Sequence, residues 1–329
     1  MKRIAVLTSG GDSPGMNPAI RSITRAGLHK GLEIFGVRNG YQGLIEGDVI
    51  PLDSQIVSGR IRDAGTFLQT SRCPEFLKEE VQLGALKVLE KHRIDGLVII
   101  GGDGSLNGAR ALHNYGLRVI GLPGTIDNDL FGTDMGIGVD TALNTIISLV
   151  DMIRATAASH RRCFVVEVMG RGSGYLALMT TISTGSQVAV IPEFRMNLDK
   201  IVEVLDRRFT SNHNASVIIV AEGVCQGAEF MQRLMAHNKV KQEVRLTVLG
   251  HVQRGGTPTH YDRLLASRMG EMAVLALMSG ETGSMVASVN GKMQLRDFDD
   301  ILERRKALPS DAIRLARNIG IELGDVVES

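Results

Sequence analysis

The chain has 329 residues, with 37 Lys and Arg against 36 Asp and Glu, so its formal net charge is +1. This balance gives no global electrostatic attraction to nucleic acid or to an anionic membrane, and the lack of Trp with only 4% aromatic residues argues against a base-stacking surface. The length predicts about two domains.

The cysteines and the hydropathy pattern predict where the protein works. Cys73, Cys163 and Cys225 are far apart and form no CxxC pair, so neither a disulfide framework nor a zinc site is indicated. No apolar run approaches the roughly 18 residues that span a bilayer, and the first predicted strand begins almost at Met1. We therefore expect a cytoplasmic protein without a signal peptide or membrane anchor.

Short apolar runs of strand length alternate with segments of helical period along most of the chain. The predicted strands cover 3–8, 95–100, 118–122, 163–169, 188–191, 217–221 and 245–249. The predicted helices cover 17–30, 74–91, 106–114, 139–159, 199–208, 229–236, 262–278 and 311–318. This alternation predicts the α/β class with mostly parallel sheets.

The loop after the first predicted strand reads SGGDSPG. It leads into a helix for which Asn17 is the predicted N-cap and Pro18 a first-turn residue. Gly10 and Gly11 therefore precede a helix N-terminus, where backbone N–H groups can approach a phosphate. An ordinary turn explains one such loop equally well. The NGYQGL segment, 39–44, is likewise predicted to be a turn.

Two further loops follow successive predicted strands. GGDGS at 101–105 precedes a helix with Ser105 as its predicted N-cap, and GTIDND occupies 124–129. Because parallel strands end at one edge of a sheet, Asp103, Thr125, Asp127 and Asp129 should converge there. Converging carboxylates repel one another unless a cation and phosphate oxygens lie between them, as at Mg²⁺ sites. The pattern favours phosphoryl transfer over a pair of simple turns.

These loops resemble the signature loops of the bacterial ATP-dependent branch of the 6-phosphofructokinase family. GGDGS at 101–105, PGTIDND at 123–129, MGRGSG at 169–174 and LGHVQRGG at 249–256 occur in the family's order, and the resemblance covers nearly the whole chain. It implies two Rossmann-like three-layer α/β/α domains. It also implies phosphorylation of fructose 6-phosphate at the 1-hydroxyl, the committed step of glycolysis.

The resemblance assigns one set of residues to ATP, the co-substrate. The implied ATP contacts are Gly11, Tyr41, Arg72, Cys73, Gly102, Asp103, Gly104 and Ser105. Gly11 would lie along the nucleotide phosphates, and Asp103 and Asp129 would hold Mg²⁺, directly or through water. The phosphoryl donor follows from Gly104 and Gly124, because pyrophosphate-dependent relatives carry Asp and Lys there and those side chains would crowd the nucleotide. The sequence therefore favours ATP over pyrophosphate.

A second set is implied for the sugar phosphate. Its members are Thr125, Ile126, Asp127, Arg162, Met169, Gly170, Arg171, Glu222, Arg245, His251, Val252, Gln253 and Arg254. Asp127 would accept the proton of the 1-hydroxyl, Thr125 would orient it, and Arg171 would offset charge on the transferred group. With Gly11 these three form the implied catalytic set. Glu222 closes an apolar run, where a buried carboxylate needs a donor partner, and sugar hydroxyls would serve.

The implied effector site departs from the family pattern. Its positions are Arg21, Arg25, Arg154, Gly185, Gln187, Ser211 and His213. The three arginines are present, but Gln187 stands where relatives have a Glu that binds the effector's Mg²⁺. Family lysines are replaced around 211–214, and Ser54 replaces an arginine. Because fewer cations weaken binding of a multiply charged ligand, we expect weakened or altered control by ADP or phosphoenolpyruvate.

The resemblance also implies the assembly. Residues 1–138 plus 251–305 would form the larger, nucleotide-binding domain, and 139–250 plus 306–329 the smaller, fructose 6-phosphate-binding domain. Arg162 and Arg245 would reach the site of a neighbouring subunit, so a homotetramer is expected, with no nucleic acid and no membrane among its partners.

Three alternatives stay open at this point. One is a pyrophosphate-dependent phosphofructokinase, and another is a NAD or lipid kinase, which shares a GGDG loop. The third is a non-catalytic regulatory subunit that binds a sugar phosphate, against which the presence of Asp103, Asp127 and Arg171 argues.

Overall fold

The computed structural model describes residues 1–211 and 215–326. In chain order the strands are β1 (Arg3–Ser9), β2 (Glu33–Val37), β3 (Val49–Leu52), β4 (Gly96–Gly101), β5 (Arg118–Pro123), β6 (Cys163–Val168), β7 (Val188–Val190), β8 (Phe194–Arg195), β9 (Ser216–Ala221), β10 (Val244–Val248), β11 (Ser284–Val289), β12 (Lys292–Asp297) and β13 (Asp325–Val326). The α-helices are α1 (Met16–His29), α2 (Gly40–Glu46), α3 (Glu79–Lys91), α4 (Asp103–Asn114), α5 (Val139–His160), α6 (Tyr175–Thr184), α7 (Leu198–Thr210), α8 (Gly227–Met235), α9 (His260–Ser279), α10 (Phe298–Leu302) and α11 (Ser310–Asn318). Within these ranges no helix is both long and apolar enough to cross a bilayer.

The chain divides into two compact units. Unit 1 contains residues 1–126, 130–141 and 254–306, and unit 2 contains 127–129, 142–253 and 307–326. The divisions therefore lie one to three residues beyond those expected from the sequence, at 141, 253 and 306 instead of 138, 250 and 305. The short segment 127–129 is grouped with unit 2, a detail that the sequence did not indicate.

Unit 1 is built on a seven-stranded sheet in the order β12-β11-β5-β4-β1-β2-β3. The five inner strands, β11, β5, β4, β1 and β2, are parallel to one another. The two edge strands, β3 and β12, are antiparallel to their neighbours. Strand order reverses beside β1, because β2 lies on one side of it and β4 on the other. In open α/β sheets ligands bind at such a switch point, outside the carboxyl ends of the strands.

Alternate residues of β4 face opposite sides of the sheet, and both sides are covered. Val98 and Ile100 belong to the core that contains residues of α1 and α9. Leu97 and Ile99 belong to the core that contains residues of α2, α3 and α4. Apolar residues on both faces of a strand are typical of parallel sheets between two helical layers. The predicted three-layer α/β/α arrangement is confirmed.

Unit 2 has a smaller sheet of four parallel strands in the order β10-β6-β9-β7. Cys163 and Val165 of β6 share a core with residues of α7 and α8. A separate antiparallel pair joins β8 to β13. Loops after β6, β9 and β10 leave the four-stranded sheet at its carboxyl edge.

Two predicted helix caps are wrong. Helix α1 begins at Met16 after Gly15, whose φ of 111° lies in the left-handed region that glycine adopts readily, so Asn17 is already inside the helix. The Asn17 side chain instead accepts from the Phe67 N–H at 2.8 Å. Helix α4 begins at Asp103, so Ser105 lies in the first turn and donates its hydroxyl to the Ser9 carbonyl at 2.9 Å.

Two other local predictions also need correction. Residues 40–46 form helix α2 instead of a turn, with Asn39 in the left-handed conformation before it. The helix expected from Pro74 to Lys91 is interrupted: a short 3₁₀-helix, Pro74–Leu77, ends at Lys78, whose extended backbone precedes α3. In the second case the extended backbone of Lys78, which the residue types did not reveal, separates the two helices.

A buried carboxylate of unit 1, that of Asp262, caps the start of helix α5. Asp262, fully buried in α9, accepts from the Gly138 N–H at 2.9 Å, the Thr141 N–H at 2.8 Å and the Thr141 hydroxyl at 2.6 Å. The first-turn N–H groups of α5 thus receive an acceptor. Burial raises the pKa of Asp262 to about 6, although the hydrogen bonds from Thr141 and Gly138 favour the charged form.

The raised pKa gives a testable dependence of stability on pH. The folded chain holds the Asp262 proton more tightly than the unfolded chain, so this contribution is full below the unfolded pKa and is lost as the pH rises to about 6. Relative to Asp262→Asn, which cannot titrate, the wild-type free energy of unfolding should fall by about 2.4 kcal/mol between pH 4 and 7. Denaturation at several pH values measures the difference. The exposed Asp299→Asn serves as control, and a difference that stays flat or rises with pH would contradict the expectation.

Candidate active site

The two glycine loops of unit 1 meet at the switch point between β1 and β4. The Ser105 hydroxyl bonds the Ser9 carbonyl, and a Cβ on Gly10 would lie 3.3 Å from the Ser105 hydroxyl oxygen. The loop after β1 and the first turn of α4 are therefore in direct contact. The loop after β1 therefore lies beside the N-terminus of α4, and backbone N–H groups at a helix N-terminus can bind a phosphate.

Arg254 supplies a positive charge to the same edge. A Cβ on Gly11 would lie 2.7 Å from its Nη1 atom, and Nη1 donates to the Asp12 carbonyl at 2.5 Å. Glycine at position 11 thus makes room for a guanidinium against the loop. Arg254, which was expected to bind the sugar phosphate, thus also bonds the loop of Gly11.

The first turn of α4 presents an exposed carboxylate and an open glycine. Asp103 is exposed, and a Cβ on Gly104 would meet no atom within 4 Å. Gly104 therefore leaves space above the loop, as the choice of ATP requires. Among the described residues no three His, Cys, Asp or Glu side chains converge to hold a metal.

Gly124 has a packing reason to be glycine that the sequence did not indicate. Its Cβ would lie 2.8 Å from Ile100 Cγ2 and 3.2 Å from Met16 Cε, both in the core of unit 1. A larger residue there would first displace those side chains. The two donor-related glycines therefore differ, because a Cβ on Gly104 would meet no atom within 4 Å.

The remaining nucleotide candidates lie around α2 and the loop before the 3₁₀-helix. Tyr41 is only 3% exposed; its hydroxyl donates to the Ser105 carbonyl at 2.6 Å, and its ring stacks on Phe76 at 3.9 Å. Cys73 is half-buried, which raises the pKa of its thiol, and Arg72 is exposed. Tyr41 thus holds the first turn of α4 through the Ser105 carbonyl. The Arg72 side chain is exposed to solvent.

The segment after β5 spans the two units in sequence. Thr125 and Ile126 close unit 1, being 7% and 0% exposed. Asp127, which is 3% exposed, begins the portion grouped with unit 2, and Asn128 follows it with φ 51°. Asp129 is half-buried. The carboxylate of Asp127 is therefore shielded from bulk solvent.

In unit 2 the loop after β6 is held in one conformation by the loop after β9. Arg171 adopts φ 50°, and its N–H donates to Glu222 Oε1 at 3.1 Å. A Cβ on Gly223 would collide with the Arg171 carbonyl. Glu222 therefore has a protein donor in addition to any sugar hydroxyl, and it fixes the backbone from which the exposed Arg171 side chain extends.

Gln253 has a structural role that sequence reasoning missed. It is fully buried, its carbonyl oxygen accepts from the Met169 N–H at 3.1 Å, and its amide donates to the Gly250 carbonyl at 2.8 Å. The loop after β10 is thereby joined to the loop after β6. His251 and Val252, in the short 3₁₀-helix of this loop, are exposed. Gln253 positions the loop, and its neighbours His251 and Val252 are exposed.

Glu193 was not among the predicted residues but helps to hold the same edge. Its Oε1 accepts from the Gly174 N–H at 2.8 Å, just before α6 begins. A carboxylate at a helix N-terminus is stabilised there by the helix dipole. The PEF segment that contains it gives no motif from which this contact could be predicted.

Unit 2 does not bring Arg162 and Arg245 to that edge. Arg162 directly precedes β6, whereas Met169 follows it, and the six residues of β6 span about 20 Å. Arg245 is the second residue of β10, near its start. Both arginines therefore lie at the amino edge of the sheet, opposite the edge of Met169, Arg171 and His251.

The effector candidates fall in both units. In unit 1 Arg21 is half-buried and Arg25 and Ser54 are exposed. In unit 2 the Gln187 amide is engaged, donating to the Gly185 carbonyl at 2.8 Å and accepting from the Val217 N–H at 3.0 Å. Ser211 is exposed, and the expected His213 lies outside the described residues.

Arg154 lies beside Gly185, with Nη1 3.7 Å from where a Cβ would stand. It shares this region with Arg208, an arginine that the sequence analysis did not single out. Burial, and then the charge of Arg154, lower the pKa of Arg208. Nε of both arginines is buried without a hydrogen-bond partner in the part of the chain that the structure describes. Two adjacent guanidinium groups of this kind favour an anion.

The arrangement of unit 1 is that of a doubly wound α/β protein whose ligand loops meet at a topological switch point. Comparisons with known proteins specify the family. The family model described as phosphofructokinase matches residues 3–277. Proteins named ATP-dependent 6-phosphofructokinase from Halalkalibacterium halodurans and Listeria monocytogenes are each 46% identical over 321 residues, covering 98% of this chain and 100% of theirs. The protein of that name from Shouchella clausii is 47% identical over the same coverage.

Solved structures agree with this. Phosphofructokinase from Saccharomyces cerevisiae matches with a TM-score of 0.86 and 36% identity over 97% of this chain, which spans 47% of the yeast chain. A pyrophosphate-dependent phosphofructokinase from Nitrosospira multiformis has the same TM-score at 19% identity, covering 100% of this chain and 94% of that one, and so shows the fold alone. The chain belongs to the phosphofructokinase family, and the resemblance inferred from its loops is confirmed.

The contact between Gly223 and Arg171 can be tested by mutation. Gly223→Ala should lower the free energy of unfolding by about 1–3 kcal/mol, because the added Cβ must displace the Arg171 carbonyl. Gly172→Ala, next to Arg171 in the loop after β6, is the control, since its Cβ would meet nothing within 4 Å. Chemical denaturation of both variants gives the comparison. Equal stability of the two variants would show that the loops are not held as described.

Proposed function

We propose that this chain transfers the γ-phosphoryl group of ATP to the 1-hydroxyl of fructose 6-phosphate, giving fructose 1,6-bisphosphate and ADP. The observation that carries the proposal is the meeting of the two glycine loops at the switch point of unit 1, with Gly104 open above them. Full-length relatives named ATP-dependent 6-phosphofructokinase support both the donor and the acceptor. This reaction places the chain in glycolysis as a kinase.

Phosphoryl transfer depends mainly on alignment and on neutralising charge, with a base for the attacking hydroxyl. We assign the base to Asp127, whose buried carboxylate would accept the proton of the 1-hydroxyl, with Thr125 orienting that hydroxyl. Arg171 would stabilise charge on the transferred group, since its guanidinium offers a planar fork of donors to phosphoryl oxygens. Glu222 keeps the backbone of Arg171 in place and is assigned to the sugar.

The loops of unit 1 would bind the nucleotide. Gly11 and residues 102–105 would contact its phosphates through backbone N–H groups, and Arg72 would add a cation. Mg²⁺ is usually held by one or two carboxylates together with substrate phosphates. Asp103, exposed beside the loop, and Asp129 would hold the ion, which neutralises phosphate charge when bound.

The positions of Arg162 and Arg245 support an oligomer that shares its sites. Both lie at the amino edge of the unit 2 sheet, away from Met169, His251 and Arg171. We propose that they bind the 6-phosphate of a sugar in a neighbouring subunit of a homotetramer. We also propose a cytoplasmic location, where a reducing environment keeps Cys73, Cys163 and Cys225 as the free thiols observed.

We propose that allosteric control is weakened or altered. The Gln187 amide is committed to Gly185 and Val217, and it lacks the charge that would bind an effector's metal ion. Arg154 remains as an anion-binding group, now with Arg208 beside it. A sigmoidal response to fructose 6-phosphate that ADP abolishes would contradict this proposal, and the assay below can be repeated with ADP to examine it.

The reaction itself is tested by product formation. Purified protein with Mg²⁺ and fructose 6-phosphate should form fructose 1,6-bisphosphate with ATP and not with pyrophosphate. Product with pyrophosphate alone would keep the acceptor but reverse the assignment of the donor. Absence of product with either donor would favour a non-catalytic sugar-phosphate-binding subunit.

The role of Asp127 predicts a selective loss of turnover. Asp127→Ser should lower kcat by about 10² to 10⁴, the range typical of losing a general base, because the 1-hydroxyl then lacks a proton acceptor. Binding of ATP, measured by calorimetry, should change little. Near-normal turnover of the purified variant would remove Asp127 from this role.

A further inference from the structure

Arg162 and Arg245 are joined by a carboxylate that no sequence motif indicated. Arg162 Nε bonds Glu243 Oε2 at 2.6 Å, and Arg245 Nη2 pairs with Glu243 Oε1. Each oxygen of one carboxylate thus serves one arginine. Across the residues that the structure describes, neither arginine pairs with any other acidic side chain.

The sheet register explains why these three residues meet. Strands β6 and β10 are parallel neighbours in which Cys163 pairs with Val244, so the residues preceding them, Arg162 and Glu243, lie side by side. The Cys163 N–H also donates to the Glu243 carbonyl at 3.0 Å, which fixes the start of both strands. Arg245 is two residues beyond Glu243 and therefore projects from the same face of β10.

Electrostatics make the carboxylate necessary to the pair. Two guanidinium groups repel each other, and their side chains are 29% and 54% exposed. A carboxylate between the two groups offsets this repulsion. Hydrogen bonding and charge from Arg162, then the charge of Arg245, lower the pKa of Glu243. The carboxylate therefore remains ionised. The two arginines alone carry a charge of +2, and with Glu243 the three residues carry a net charge of +1.

The geometry leaves donors for a second anion. A guanidinium has five N–H donors in a planar fork, and Glu243 contacts only one nitrogen of each arginine. Forks of this kind suit phosphate oxygens, which they can bind in pairs. A carboxylate that holds two forks close together thus prepares them for a phosphate, in the way that outer carboxylates orient ligands around metal ions.

We propose that Glu243 is a positioning residue that holds Arg162 and Arg245 as one receptor for the phosphate group of the sugar substrate. This inference rests on the proposed function and deepens it by adding the residue that organises the two arginines. Glu243 does not touch the reacting atoms. It acts on the affinity for the phosphorylated acceptor and leaves the nucleotide and the chemical step unaffected.

The test is Glu243→Gln, which keeps the side-chain size and one acceptor oxygen but presents an amide N–H₂ group to the second arginine. Because exposed ion pairs contribute modestly, KM for fructose 6-phosphate should rise by about three- to tenfold. The kcat, KM for ATP and melting temperature should stay as in the wild type. Glu229→Gln is the matched control, since Glu229 also pairs with an arginine, Arg233, and its side chain has the same exposure of 48% as that of Glu243.

Other outcomes would overturn the inference. A lower KM for fructose 6-phosphate would show that Glu243 competes with the phosphate, and an unchanged KM would show that the arginines need no organiser. Changes in kcat, KM for ATP and melting temperature together would indicate a merely structural role.

A wild-type protein that does not phosphorylate fructose 6-phosphate would instead contradict the proposed function. The arginine pair can then be tested alone, by calorimetric binding of inorganic phosphate to the wild type and to Glu243→Gln. Equal affinities would overturn the inference by themselves.

Discussion

The adjacency of β1 and β4 in one parallel sheet is the constraint on which the rest of the site depends. Because the two strands are hydrogen-bonded neighbours, the loop after β1 and the first turn of α4 begin at the same edge. The bond from the Ser105 hydroxyl to the Ser9 carbonyl then fixes the contact between them. Gly11, Asp103 and Gly104 have their positions only because this pairing exists.

The second unit repeats the principle with different contacts. Its carboxyl edge is organised by side chains that bond backbone groups: Glu222 to Arg171, Gln253 to Met169 and Glu193 to Gly174. None of these bonds is a contact to a ligand. Each restricts a loop that carries a proposed ligand-binding residue, so positioning is spread over three strands of the sheet.

The fold class and the family could be predicted from the sequence, for identifiable reasons. The α/β class followed from the alternation of apolar runs, and the family followed from loops whose spacing is too specific to arise from turns. Local boundaries failed where one backbone torsion decides them, as at Gly15 before α1 and Lys78 before α3. Gln253 was taken for a ligand contact because a motif records which residue is present and not which way its side chain points.

The position of Glu243 between two arginines follows from the sequence only in part. The pattern Glu-Val-Arg on a strand places its two charged residues on one face, and the parallel partner strand begins after Arg162. The bonding of Glu243 to both arginines requires the register of β6 with β10, which composition and periodicity do not specify. The placement of the arginines at the amino edge, by contrast, follows from strand bounds alone.

The direction of the Gly124 Cβ has a consequence for how such a protein could change its phosphoryl donor in evolution. Position 104 opens onto empty space, so a new side chain there costs nothing in packing. Position 124 faces Ile100 and Met16, so a larger residue there must shift the side chains around it. The two positions are therefore not equivalent steps: a new side chain at 104 meets no neighbour, whereas one at 124 requires the surrounding core to rearrange.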